Sequence, residues 1–374
     1  MAVYKIFPTK DATIYSLYPN KNTGLDEILE TTTTVVSDLS AYPQTSRFLL
    51  QFSNDDINDI ITNKISGSQW QANFKGFKAL IEGLNSTTIL ELYPISGSWN
   101  MGTGKYTYNP ESTDGVSWIW QSYSGSNPWT TSSFSPYTTA SYGNQVGGGT
   151  WYTGSSNSTV LPIYSTQSFE YFSDGDINVN ITNMVKAWYS GSIVNNGLIV
   201  KQSLEFIDNK NAQIKMRYFS RDTSTIYPPQ LEFRWRDYNY NTGSSNITEL
   251  NTTIATVAID ENIGIFYPES INKFRVNSRP TYPARTFQTS SYFTKNYYLP
   301  TSSYYAIKDL DTNEFVIDFD DQYTQLSVDD QSSYFTLYMN GLEPERYYKI
   351  LIKSIINGST IVFDDNYYFK VVNG

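Results

Sequence analysis

Gln230-Leu231-Glu232-Phe233-Arg234-Trp235 alternates polar and apolar side chains from end to end. Successive residues of a strand point to opposite faces, so this period of two predicts a half-buried β-strand. Working outward, the same reading applies to Val35-Val36, Phe48-Leu49-Leu50-Gln51-Phe52, Thr88-Ile89-Leu90-Glu91-Leu92-Tyr93 and Leu198-Ile199-Val200-Lys201. Turn clusters such as Gly102-Thr103-Gly104 and Gly147-Gly148-Gly149 separate these short runs. Two stretches depart from the pattern. Asn54-Asp-Asp-Ile57-Asn-Asp-Ile60-Ile61 opens on an N-cap candidate and then spaces its apolar residues for a helix. Ile181, Met184, Val185 and Trp188 fall on one helical face, with Gly191 just beyond as a stop.

Composition narrows the chemistry. The 374 residues include 32 Tyr, 20 Phe and 8 Trp, while only 17% are charged, against roughly 25% in an average globular chain. Low charge with many rings argues for a folded chain, and the Tyr and β-branched content for strands. There is no Cys and no His. Disulfides, thiolate nucleophiles, His or Cys zinc sites, and His-based acid–base catalysis are therefore excluded. Carboxylate pairs, Lys or Tyr chemistry and oxygen-ligated metals remain. The net charge of −10, with 26 Lys and Arg scattered along the chain, argues against nucleic acid and against anionic membranes. No apolar run is long enough to span a bilayer. The opening Met1-Ala-Val-Tyr-Lys-Ile-Phe-Pro8 has neither region of a secretory leader, so the expectation is assembly in a cytoplasm.

The expected fold class is all-β. Residues 1–236 read as a jelly-roll-like β-sandwich with two short helices and long loops, and 237–246 as a polar linker. Residues 247–374 read as one or two smaller immunoglobulin- or fibronectin-III-like β domains, with an arm at 247–300 and a domain at 301–374 as one division. Between Asn100 and Ser168 the chain is rich in Trp, Tyr, Ser, Thr and Gly and has little periodicity. Structureless stretches this long are uncommon in compact domains, so its rings predict excursions folded down onto a surface.

Several motifs occur in a fixed order. They are Asp11-Ala-Thr-Ile-Tyr15, Asn22-Thr-Gly24, Arg47-Phe-Leu-Leu-Gln-Phe52 and Leu90-Glu-Leu-Tyr93, then Gly115-Val-Ser-Trp118 and the Gly-Gly-Thr-Trp run ending at Trp151. Ile181 to Trp188, Asn196-Gly-Leu-Ile-Val200, Phe219-Ser-Arg-Asp222 and Pro228-Pro-Gln-Leu-Glu-Phe233 complete the series. This order resembles the DNRLRE-type β-sandwich modules, relatives of carbohydrate-binding modules, over about residues 1–236. Gly341-Leu-Glu-Pro-Glu-Arg-Tyr-Tyr348 is similar to the turn and strand of fibronectin-III domains in which a tyrosine corner ties the loop to the sandwich. The composition as a whole resembles that of tailed-bacteriophage virion proteins.

Each candidate site has a plain structural reading beside it. Trp118, Trp120, Trp129 and Trp151 are candidates for sugar stacking or a protein interface, or they cover a core. Asp309, Asp311 and Asn313 have the spacing of a calcium loop, as do Asp174, Asp176 and Asn178; the same spacing serves polar turns. Glu91, Glu111, Asp114 and Glu170 are the acids available for hydrolysis, which needs two of them paired across a cleft; Glu91 reads as an outward strand residue. The Asn-x-Ser/Thr triplets at Asn85, Asn157, Asn180, Asn246, Asn251 and Asn357 are expected by chance in such a composition. The functional expectation is a non-enzymatic structural protein of a virion, without a cofactor. It would dock on other virion proteins and on copies of itself around a symmetry axis. Host-glycan adhesion is the alternative.

Overall fold

The computed structural model describes residues 2–34, 44–67, 69–84, 87–123, 127–129, 139–140, 147–152, 163–203, 205, 214–242, 247–283 and 296–373. It is an all-β chain that separates into two compact units. The larger comprises 6–64 and 71–232; the smaller comprises 1–5, 65–70 and 233–374. Among the described residues no helix is long and apolar enough to cross a membrane.

The larger unit is organised around an eight-stranded sheet. Its strands follow the order Ser165–Phe169, Thr88–Pro94, Leu198–Gln202, Gln44–Gln51, Ile28–Thr34, Ile214–Phe219 and Lys78–Glu82. Lys10–Tyr15 also pairs with Gln44–Gln51, against residues 46–51. Every pairing is antiparallel; Leu198–Val200 against Phe48–Leu50 sets the central register. Phe48, Leu50, Leu198 and Val200 point to one face, whereas Arg47, Leu49, Ile199 and Lys201 point to the other; all are buried. A sheet covered on both faces explains why its central strands read as continuous apolar runs. A shorter sheet includes Ile177–Asn180 paired to Asn73–Gly76, and Phe74 meets Phe52 edge-on at 6.3 Å.

Both expected helices form. α1 (Asn54–Asp59) is capped by Ser53, one residue before the stretch read as its start; the Ser53 hydroxyl accepts from the Asp56 amide at 3.2 Å. Asp55 and Asp56 lie in the first turn, where the helix dipole favours acids. α2 (Thr182–Tyr189) buries Ile181, Met184, Val185 and Trp188 as their spacing predicts. The helix ends before Gly191, whose positive φ of 72° suits the residue that stops it.

The anchor strand Gln230–Trp235 differs from its expectation. Its alternation is a strand, yet Gln230 and Glu232 are buried alongside Leu231, Phe233 and Trp235. Lys75 meets the Glu232 carboxylate at 2.9 Å, so Glu232 faces a cation rather than water.

The smaller unit is a two-sheet sandwich. One sheet runs Ile247–Glu249, Asn296–Tyr298, Ile271–Pro280, Ser333–Tyr338 and Ser327–Val328, with Ala255–Asp260 added on Ile271–Pro280. The other runs Ile265–Phe266, Ser359–Val371, Tyr347–Ile356, Ser303–Asp309 and Phe315–Ile317. Phe335 stacks on Phe274 at 5.1 Å and on Tyr305 at 4.3 Å, joining the sheets through an aromatic core. Residues 247–280 are not an arm: Ile271–Val276 pairs with Ser333–Tyr338, and Ile265–Phe266 pairs with Lys370–Val371. The Tyr348 hydroxyl donates to the Glu343 carbonyl at 3.1 Å, the tyrosine corner its motif implies. In the stretch expected as a linker, described to residue 242, the Asn239 and Asn241 amides bond to Ser327 and Val328.

Candidate functional site

The second face of the eight-stranded sheet carries a cluster of buried charges. Strand alternation places Arg47 beside Leu49, Lys201 beside Ile199, and Glu91 between Ile89 and Tyr93, all on this side. Arg47 Nε donates to both oxygens of Glu205, at 3.0 and 3.2 Å, and Nη2 to Oε2 at 2.7 Å. Both side chains are sealed from solvent. Lys201 Nζ lies 2.8 Å from Glu91 and 3.9 Å from Glu205. Two cations and two carboxylates thus balance in one network. Glu91, expected as an outward strand residue, is instead half-buried, its side chain 22 % exposed and held by Lys201. Burial, followed by the Glu91 charge, raises the Tyr93 phenol well above its usual range.

The excursion supplies the lid. The Arg47 guanidinium lies between two indoles, 4.9 Å from the Trp118 ring centre and 5.1 Å from that of Trp151. Its remaining edge donates through Nη1 to the Gly148 carbonyl. Gly148 sits at φ +83°, and a Cβ there would lie 2.6 Å from Arg47 Nη1 and 2.9 Å from the Trp118 ring. The triple glycine is thus more than a turn: only a residue without a side chain lets this backbone lie on the cation. Asn22 pins the other part of the excursion, donating to the Met101 and Val116 carbonyls at 2.7 and 2.8 Å and accepting from the Gly104 amide at 2.8 Å.

Trp118, Trp129 and Trp151 join Ala12, Ile14, Leu49 and Ile199 in one apolar cluster and are 2–5 % exposed. Of the three readings open for these three rings, covering a core is the one their positions fit; they are too buried to serve as a sugar-stacking or interface surface, and Trp118 and Trp151 also lie on Arg47. Trp129 Nε1 donates to the Ser117 carbonyl at 2.9 Å. Trp120 is half-buried, donates to Asn20 at 3.0 Å, and meets Tyr123 edge-on. Residues 124–126, 130–138, 141–146 and 153–162 of the excursion lie outside the described residues, as do Val35-Val36, Asn85, Asn157 and Asn246.

The other acids are employed locally. Asp114 accepts from the Thr103 amide and hydroxyl and from the Ser112 hydroxyl. Burial works against its charge, but these bonds hold its carboxyl below the usual range. Glu111 and Glu170 are exposed, and the Glu170 amide closes a turn on the Ser173 hydroxyl at 2.7 Å. Of the two readings of Asp309, Asp311 and Asn313, the polar turn fits the structure. Arg346 clamps Asp309 with two bonds, at 2.6 and 2.7 Å, and the same carboxylate accepts the Asp311 and Thr312 amides. Asp311 points mostly to solvent, 3.6 Å from Arg346, and Asn313 adopts a left-handed turn at φ 61°. A guanidinium stands where the metal would sit. At the second candidate, Lys78 holds Asp174, and Asp176 accepts the Lys78 amide at 2.8 Å. Among the described residues no cluster of acids is arranged to hold a metal ion.

Among the described residues of the larger unit, concavities include the following two. One, of about 280 Å³, is lined by Tyr15, Tyr106, Asp26, Glu30, Lys215 and Arg217. Arg217 Nε lies 2.7 Å from Glu30, and burial raises the Asp26 carboxyl above its usual range. The other, of about 570 Å³, lies between the Lys78–Glu82 strand and Tyr171, Ser173 and Asp174. The sequence signal for the Arg47 network was a charged residue heading an apolar run; its partner Glu205, 158 residues away, gave none.

The chain matches no protein-family model and no curated protein. Among solved structures it is similar to a DUF4785-family protein of Legionella pneumophila, at 8% identity and a TM-score of 0.18. That alignment covers 98% of this chain and 66% of the other.

Proposed function

We propose that the chain is a non-enzymatic structural component of a tailed-bacteriophage virion. It would sit in the neck, tail, baseplate or fibre-attachment region and act through protein-docking surfaces in a symmetric assembly. The observation that carries this reading is the aromatic tip beside the last strand of the large sheet. Tyr171 and Phe172 are 71 % and 93 % exposed and in edge-on contact at 5.0 Å. They stand next to Lys78–Glu82, the terminal strand of that sheet, with Leu80 also exposed. Scattered exposed apolar residues are ordinary; a ring pair beside a sheet edge is material for docking another chain. The fixed Trp lid supports the same reading, since it makes a rigid body rather than an open cleft. The collinear motifs and the composition supply the virion context.

The test is mass spectrometry and cryo-EM of purified particles. The chain should be present with Tyr171 and Phe172 covered by a neighbour. Tyr171→Ser/Phe172→Ser should melt like the wild type yet fail to enter particles. Absence from particles, or presence with both rings in solvent, defeats the reading.

The smaller concavity favours glycan adhesion as a second reading. Tyr15 and Tyr106 offer rings, and Asp26, Glu30 and Arg217 offer hydrogen-bonding groups, in a space suited to a single sugar unit. Calorimetry with host-surface saccharides should then show binding that Tyr106→Ala removes; no binding by the wild type dismisses it.

A further inference from the structure

The outer face of the five-stranded sheet in the smaller unit does not look like a solvated face. An antiparallel sheet with one buried side normally turns polar residues outward. Here the outward positions alternate lysines with rings and aliphatics. Tyr347 lies opposite Lys370, which lies opposite Ile265; one step along, Tyr368, Lys349, Lys308 and Phe315 form a row across four strands. Lys353 lies between Val362 and Tyr304. Ile265, Tyr347 and Val362 are 53, 51 and 49 % exposed.

The lysines lie along the rings. Lys308 Nζ is 5.3 Å from the Phe315 ring centre, Lys349 5.9 Å from Tyr368, and Lys370 5.7 Å from Tyr347. Lys353 is 5.0 Å from Tyr304 and 4.8 Å from Phe319. Lys349 meets Asp364 at 2.5 Å and Lys370 meets Glu345. Lys308 and Lys353 have no ion pair among the described residues, and Lys308 stands directly opposite Lys349. Like charges facing each other across a strand pair are unfavourable; Asp364 offsets Lys349, which leaves Lys308 and Lys353 open to carboxylates from outside.

We propose that this lysine–ring face is a self-assembly surface, bound by an acidic surface of a second copy of the chain. The charge balance selects the occupant: the chain is −10 overall while this face is net basic, so the rest of the surface is more acidic than the total. A two-fold contact through this face would bring together four lysines but only the two carboxylates Asp364 and Glu345 from each copy, which favours a contact with a different, acidic surface. The contact is therefore head-to-tail, and it generates a ring where the rotation closes. Lysines lying across ring faces disfavour base stacking, and the net charge repels phosphates, so a polypeptide is favoured over single-stranded nucleic acid. The inference deepens the structural reading above and rests on it for its biological setting.

Sedimentation velocity on the full chain from about 1 to about 100 μM tests it. The expected result is concentration-dependent association beyond the 42.6 kDa monomer. About 0.5 M NaCl, and Lys308→Glu/Lys353→Glu, should each weaken it at least about tenfold. Lys308→Gln/Lys353→Gln should give an intermediate loss and guards against misfolding of the charge reversal; circular dichroism checks both. Lys21→Glu, in the other unit, should change nothing. A wild type that stays monomeric, or association indifferent to both double variants, overturns the proposal. So does fluorescence-detected binding of single-stranded DNA that the double variants remove while the chain stays monomeric. A chain found in particles but monomeric and bare on this face defeats this inference alone; one that associates but is absent from particles defeats only the virion reading.

Discussion

Glu205→Gln puts the buried network to its sharpest test. The substitution keeps the shape of the side chain and removes its charge, so the Arg47 cation loses the carboxylate that takes three of its hydrogen bonds. Both partners are inaccessible to water, and breaking one side of such a pair costs about 3–5 kcal/mol, because the remaining charge stays buried without its carboxylate. Lys201, 3.9 Å from Glu205, loses part of its balance as well. For a unit of roughly 220 residues, each kcal/mol moves the melting temperature by about 2–4 °C, giving a fall of roughly 6–20 °C. Near-ultraviolet circular dichroism is the assay, since Trp118 and Trp151 pack on the guanidinium and report its release. Arg47→Met/Glu205→Met, which removes both charges, should recover part of the loss. A Glu205→Gln protein melting within about 2 °C of the wild type, with its near-ultraviolet spectrum intact, would refute the lock.

Burial raises the Asp11 carboxyl from 3.8 to about 7, against the pull of the Arg221 amide that donates to it at 2.7 Å. The folded state then holds a proton that the unfolded chain releases, so stability falls as pH rises from about 4 to about 7 and is level above. Asp11→Asn should remove that slope and melt higher than the wild type near about pH 8, in calorimetric scans across pH. In the smaller unit the sign reverses. Burial opposes ionisation of Asp309 and Asp329, but Arg346 and Arg275 respectively hold both carboxyls below the usual range. Their stabilisation is present above about pH 4 and is lost as pH falls below it, which an acid titration followed by tyrosine fluorescence should display. Tyr348→Phe deletes the corner bond to the Glu343 carbonyl and should cost about 1–2 kcal/mol in urea unfolding. Because Arg346 occupies the Asp309 carboxylate, about 5 mM calcium should leave the melting temperature within about 1 °C; a rise of several degrees would mean that the metal displaces the arginine.

Local pattern was enough for the elements. The spacing of Ile181, Met184, Val185 and Trp188 specifies the buried face of α2, because a helix repeats its face every three to four residues. The alternation at Gln230–Trp235 likewise specifies a strand, and Gly341 to Tyr348 the tyrosine corner. What alternation could not reveal is whether the polar side meets water or a partner. Glu232 and Glu91 look solvated in sequence, yet each is met by a lysine far away in the chain, Lys75 and Lys201 respectively. The fate of the Trp residues was hidden for the same reason: an indole stacks on a sugar or on a guanidinium with equal chemistry, and only the placement of Gly148 over Arg47 decides between them. Spacing at Asp309, Asp311 and Asn313 resembles a metal loop until Arg346, 37 residues on, claims the carboxylate. Residue type and period act over one turn or one strand, so the sequence by itself determined the all-β class, the two helices and the exclusion of thiol and imidazole chemistry. The ion network, the lid and the lysine–ring face join residues far apart in the chain, and only tertiary pairing brings them together.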